Sequence, residues 1–435
     1  MVVLAMHAGT SNRMLAVDED RVLADLRTLA EFGKQGTGVS RPAFSDADLK
    51  ARRWLADQMK AAGLDAAIDG IGTVYGRSPD AGQSILVGSH SDSVPNGGWL
   101  DGALGVIFGL ELARAGRRSP GIGIDVISFA DEEGTWLPCL GSRSFCGELA
   151  ESALAGVQTK TGERLVDRLA QVGLGKDPLV RLDPHRHLAY LEAHIEQGPR
   201  LITEAINIGV VTGIVGIRSY VVRFRGRADH AGTTPMAKRR DAGFAAFGFA
   251  ANLAERLRAA GSPDSVWNFG NVTVRPGATN VVPAEAELSV EFRDQSPAVL
   301  ARMEAAFHAA VQAAQATLNV AVSSSPTAAL APIAMDAQLI DLIAEAAVES
   351  GASHIRMPSG AGHDAMLLAQ KIPAAMMFVP SIDGRSHDIT ENTDEADLRR
   401  GFRVFAAAAG KAIERLPSKN GPPATASGRE RERAS

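Results

Sequence analysis

GIDVISFADEEGTW, residues 123 to 136, is the stretch on which the fold turns. Residues 123–130 are apolar enough for a buried strand, yet they run straight into Asp131, Glu132 and Glu133. Like charges at the tip of a buried strand repel one another and lose hydration. A metal, a basic partner or solvent must compensate them. Working outward, SILVGSH (84–90) and LAYLEAHIE (188–196) are further short apolar strands, and DGALGVIFGLELARA (101–115) is a helix between them. Strands alternating with helices predict an α/β sheet covered on both faces, with chemistry gathered where strands end.

The N-terminal segments predict two more helices. Val22, Leu23, Leu26 and Leu29 recur at helical spacing before Gly33. In SDADLKARRWLADQMKAAG, Ser45 is the expected N-cap, Leu49, Trp54, Leu55 and Met59 the apolar stripe, and Gly63 the stop. DAQLIDLIAEAAVESG and AAMMFVP (374–380) return to the same helix-and-strand texture near the end.

Between these lies something different. GIRSYVVRFRGRADH alternates apolar and polar residues, as an antiparallel strand with one wet face does. A helix over about 238–259, strands near 266–275 and 284–293, and a helix capped by Ser296 with Pro297 in its first turn follow. Residues 323–332 are the return. We therefore expect a sheet domain (1–212 and 330–417) interrupted by a smaller α+β domain (213–329). The polar, Pro/Gly-rich stretch 418–435 is expected to be disordered.

Composition excludes several classes. The 435 residues are 45% hydrophobic with a net charge of -5, so no nucleic-acid footprint is expected. No stretch approaches the ~20 apolar residues of a membrane helix, and the start lacks the features of a secretory leader. A cytoplasmic protein with Cys139 and Cys146 as inert free thiols is the expectation.

Three strand ends carry groups that bind metals. GSHSDSVPNGGWLDG supplies His90, Asp92 and Asp101, the acidic triplet follows the second strand, and EAHIEQGP supplies His194. His387 stands in DGRSHDITEN. Imidazoles and carboxylates suit Zn, Mn, Co or Ni. Five ligands, one carboxylate shared, suit two ions about 3.5–4 Å apart. Any one of these pieces is weak, since single strand-end histidines are mostly structural and acidic runs mostly solvated. Their combination is not.

The motifs GVSRPAFS (38–45), GSHSDSVPNGGWLDGALGV, FADEEGT, GSRSF, HIEQGP, DHAGTTPM (229–236), NVVP (280–283), SGAGHDA (359–365) and SHDITEN together resemble the M20 metallopeptidase clan. The likeness is to its amidase, hydantoinase/carbamoylase family and runs from about Arg21 to Leu416. It implies an α/β domain holding two divalent metal ions, split by a lid and dimerisation domain, in a homodimer. By this resemblance Asp101 bridges the metals, His90 and His194 complete one site, and Glu133 and His387 the other. Glu132 resembles the general base, and Asp92 the group orienting His90. His230 resembles the histidine that reaches the partner subunit's site and stabilises the oxyanion. Asn280 and Arg293 resemble the grips on a substrate carboxylate, with Gln197 and Gly362 as further substrate contacts. Read alone, Arg293 would pair with a neighbouring carboxylate.

The implied activity is hydrolysis of an N-carbamoyl L-amino acid or a close ureido acid to amino acid, carbon dioxide and ammonia. Allantoate hydrolysis and β-ureidopropionase activity are the nearest alternatives, and an inactive dimeric metal- or ligand-binding protein the remote one. Trp136, where relatives carry a basic residue and Phe follows, is expected to reshape the substrate pocket. His363 is read as structuring its loop, and His7, His185, His187 and His354 as solvent-exposed.

Overall fold

The computed structural model describes residues 15–116, 122–159 and 161–416. His7 and the 418–435 tail lie outside them. The chain forms two compact units. The first gathers the described residues up to Val210, then Asp336–Ile355, then those from His363 on; the second holds Val211–Met335 and Arg356–Gly362. The sequence reading had left the last stretch with the sheet domain. Among the described residues no helix is long and apolar enough to cross a membrane.

In chain order, the first unit builds α1 (Glu19–Glu31), α2 (Asp46–Ala61), β1 (Asp65–Ile68), β2 (Val74–Arg77), β3 (Ser84–His90), α3 (Ala103–Gly116), β4 (Gly123–Phe129) and β5 (His187–Ile195). The four leucine and valine positions of α1 are buried as their spacing dictates, and Ser45 caps α2 by accepting from the Asp48 N–H. The buried face of α2 differs from the expected stripe. Asp48 and Arg52 are inside it, while Leu49 and Trp54 are only half-buried.

The second unit follows with β6 (Gly216–Arg225), α4 (Ala242–Ala260), β7 (Val266–Asn268), β8 (Val272–Arg275), β9 (Glu285–Asp294), α5 (Pro297–Thr317) and β10 (Ala321–Leu330). The strand expected over 266–275 is thus two short ones. Strands β7, β9, β6 and β10 pair in that order, all antiparallel, with β8 also on β9. Strict alternation of burial along β9 marks one wet face. The dry face meets α4 and α5 through Phe224, Leu253, Leu288, Met303 and Phe307. The chain then completes the first unit with α6 (Ala337–Glu349), β11 (Ala374–Val379) and α7 (Glu395–Arg415).

The first unit's sheet runs β11–β5–β3–β4–β2–β1. Strands β11, β5, β3 and β4 are parallel, and β3, β5 and β11 are buried along their whole length. That explains the unbroken apolar runs. Register places His90 opposite Phe129 and His194 opposite Phe378. Parallel strands point the same way, so the groups at the ends of β3, β4 and β5 emerge on one edge of the sheet.

Candidate metal centre

Asp101 lies at the centre of this edge, 4% exposed. Its Oδ1 is 3.0 Å from His194 Nε2 and 3.8 Å from His90 Nε2. Its Oδ2 faces His387 Nε2 at 3.3 Å, and that same imidazole nitrogen is 3.4 Å from Glu133 Oε2. The two oxygens of one carboxylate are therefore shared between two ligand sets, His90–Asp101–His194 and Asp101–Glu133–His387, each within 4.8 Å. All five residues expected from the sequence as ligands are brought together.

The local chain explains how. His90 ends β3 and its Nδ1 pairs with the Asp92 main-chain carbonyl at 3.0 Å; His194 Nδ1 pairs with the Ile195 carbonyl at 2.9 Å. Both Nδ1 atoms are thus engaged by main-chain carbonyls, which leaves the Nε2 of each ring facing Asp101. Gly102 adopts φ +65, and a Cβ there would lie 2.4 Å from the His90 ring, so only glycine lets the histidine sit over the helix start. Asp131, Gln197 and His387 all hold positive φ without being glycine. That uncommon backbone is concentrated at this edge.

The acidic triplet divides its labour. Asp131 is a turn former, not a ligand. Its carboxylate accepts the N–H groups of Thr135, Trp136 and Leu137 at 2.7–2.9 Å. Glu132 Oε2 lies 3.7 Å from His90 Nε2, beside the ligands, and its Oε1 meets the Cys139 thiol at 3.8 Å. Glu133 sends Oε2 to His387 and leaves Oε1 buried with no hydrogen-bond partner. Burial, then the charges of Asp364, Glu133, Asp101 and Asp92, pushes Glu132 well above the usual carboxylate range. Burial and Asp101 push Glu133 up to about 8. Burial acts against the His194 imidazolium, but the Asp101 hydrogen bond and charge outweigh it and hold that pKa up to about 9. An orphaned buried carboxylate oxygen among crowded acids and imidazoles is what a pair of cations would relieve, so the donor set fits the implied metals.

Some expectations need correction. Asp92 does meet the second ring nitrogen of His90, with its main-chain oxygen, while its carboxylate is engaged elsewhere. That carboxylate accepts from Arg52 Nη2 at 3.4 Å and from the Glu133 N–H at 3.3 Å, drawn there by a buried guanidinium. Gln197 donates to Asp101 Oδ2 and thereby braces the shared carboxylate. Trp136 packs with Phe44 in a hydrophobic cluster under the turn. His187 is 2% exposed and His363 is equally buried, because both face the interior of the sheet domain. His363 stacks edge-on against His194 with ring centroids 4.5 Å apart, and with Glu192 the two histidines form a further group of metal-binding type.

Two site residues escaped the sequence reading. Glu391, 1% exposed, accepts the N–H groups of Leu100 and Asp101 and so clamps the loop; it lies inside SHDITEN, where only the histidine was singled out. Glu192, two residues before His194, accepts from Ser89, Tyr190 and the Ala365 N–H.

His230, Asn280, Arg293 and Gly362 belong to the second unit. His230 Nδ1 accepts the Gly232 and Thr233 N–H groups, so its Nε2 carries the proton and is a donor. Its backbone bridges Val281, next to Asn280. Arg293 pairs with Glu291 at 2.7 Å, as its strand alone suggested, and donates to the Gly360 carbonyl.

Residues 86–411 match the family described as Peptidase family M20/M25/M40. The N-carbamoyl-L-amino-acid amidohydrolase of Paenarthrobacter aurescens is 35% identical over 395 residues, 88% of this chain and 96% of that protein. The allantoate amidohydrolase of Escherichia coli (strain K12) is 31% identical over 388 residues, 87% of this chain and 94% of that one. An amidase of the hydantoinase/carbamoylase family from Burkholderia phymatum matches with TM-score 0.88 at 46% identity, covering 93% of this chain and 100% of that chain.

Proposed function

The chain belongs to peptidase family M20/M25/M40, among its hydantoinase/carbamoylase amidases, and from that premise we propose that it hydrolyses the ureido C–N bond of an N-carbamoyl L-amino acid with two divalent ions. One observation carries the reading: Asp101 turns one oxygen to His90 and His194 and the other to His387, whose ring also meets Glu133. When bound, such ions supply Lewis acidity and bring the pKa of a water toward ~7.

The residues do the rest. Glu132, close to the ligands but outside both ligand sets, takes a proton from the attacking water and returns one to the leaving nitrogen. His230 offers Nε2–H to the oxygen that gains charge on the ureido carbonyl. Asn280 and Arg293 take the substrate carboxylate, for which Arg293 must exchange its hold on Glu291. The net reaction consumes one water and gives the amino acid, carbon dioxide and ammonia.

We propose a homodimer in which His230 serves the partner's site. The second unit supports this with Met236, Phe244 and Phe247 exposed at 73%, 76% and 59%. The test is ammonia release from chelator-stripped protein reloaded with Zn, Mn, Co or Ni, across N-carbamoyl amino acids, 3-ureidopropionate and allantoate. Activity should vanish on chelation and return with metal. Glu132→Gln should bind dications normally and lose about 10²–10⁴-fold in turnover. Chelation-indifferent activity would falsify the reading; allantoate as the best substrate would transfer it to the E. coli relative's reaction.

A further inference from the structure

Arg52 is fully buried on α2, a helix whose pattern gave it no part in any site. Its guanidinium contacts four chain segments. Nε donates to Asp48 at 2.8 Å, Nη1 to the carbonyls of Gly72 at 2.9 Å and Phe129 at 3.2 Å, and Nη2 to Asp92 at 3.4 Å. Phe129 is the last residue of β4, immediately before the acidic turn. Asp92 in turn holds Glu133 through its N–H and His90 through its own carbonyl. The same planar fork is thus tied to two of the segments that present candidate ligands, one with His90 and the other with Glu133. These belong to different ligand sets.

We propose that Arg52 is a positioning residue that fixes the spacing between the two metal sites, acting through Asp92. This rests on the di-metal reading above. The geometry asks for arginine in particular. A planar guanidinium can reach two carboxylates and two carbonyls at once, whereas an ammonium on a flexible stem cannot span them. Outer hydrogen bonds of this kind typically change metal affinity ~10–100-fold.

The experiment compares full-length, metal-stripped wild type with Arg52→Lys, Asp92→Asn, their double variant and Arg186→Lys. Arg186 is another buried arginine, which pairs with Asp125 and touches none of the ligands. Zn(II) affinity is read by competition with a chromophoric chelator, and ligand geometry by the Co(II) absorption spectrum. Arg52→Lys and Asp92→Asn should each bind Zn(II) about 10–100-fold more weakly, with an altered Co(II) spectrum. The double variant should be little worse than the weaker single, because both lie on one path. Arg186→Lys should melt earlier yet bind Zn(II) as wild type does. Wild-type affinity and spectrum in Arg52→Lys would overturn the proposal, as would an equal affinity loss in Arg186→Lys. Should Arg52→Lys fail to fold, unchanged affinity in Asp92→Asn overturns it instead. A wild type that binds no dication sinks the di-metal reading itself, a result distinct from the others.

Discussion

Cys146 is half-buried, and burial with Glu148 nearby pushes its thiol up to about 12. Only the thiolate attacks a disulfide reagent. Relative to a free thiol near ~8.5, the reactive fraction at pH 8 falls by roughly 10³. Cys139 is shifted in the same direction by burial and by Glu132. Native protein at pH 8 should therefore react with an aromatic disulfide only slowly, speeding up as pH rises, and both thiols should titrate at once in denaturant. A fast native thiol at pH 7 would contradict this. Gly102 is a second single-atom constraint. Gly102→Ala forces a methyl into the His90 ring, so dication affinity should drop at least about tenfold while the far-ultraviolet spectrum stays native. At this scale the sequence was most legible. Ligand chemistry is a property of residue type, and each ligand stands beside a glycine, a turn or a strand end that can be recognised.

At the level of elements, the sheet is fixed by a polar network at the opposite end from the metal site. Asp125 on β4 accepts from Arg186 at 2.8 and 2.9 Å, from Tyr75 and Ser84 at 2.8 Å, and from the Ser78 N–H at 2.7 Å. His187 Nε2 lies 3.4 Å away. This explains why a histidine expected in solvent is buried. One carboxylate ties β2, β3, β4 and the start of β5 together. Asp125→Ala leaves a buried cation without its partner and should cost about 3–5 kcal/mol by urea unfolding. Zn(II) affinity should be unchanged, since none of these groups is near Asp101. Element boundaries came through well where apolar runs are long, as in β3 and β11. The face of α2 did not, because a helical pattern counts Asp48 and Arg52 as solvent-facing. Only the presence of each other and of Asp92 makes their burial tolerable.

For the whole molecule, the proposed dimer makes a claim that neither unit can satisfy alone. Phe244 and Phe247 are both exposed on α4. Phe244→Glu combined with Phe247→Glu should give a monomer by light scattering. Its Zn(II) affinity should be that of wild type, but its turnover should fall about 10²–10³-fold if His230 must come from a partner. A fully active monomer would refute that arrangement.

The sequence alone singled out the imidazoles and carboxylates that gather around Asp101, because such groups clustered at the ends of apolar runs have few other uses in that combination. It also determined that a one-sided antiparallel unit interrupts a two-sided parallel one, since burial on one or both faces is written directly in the residue period. Tertiary structure decided the division of tasks among the acids: Asp131 to the turn, Glu132 beside the ligands, Asp92 to Arg52, Glu391 to the loop. Those assignments depend on strand order and register between segments far apart in the chain. A carboxylate's role is set by the donors that surround it in space, and a residue's neighbours in sequence do not supply them.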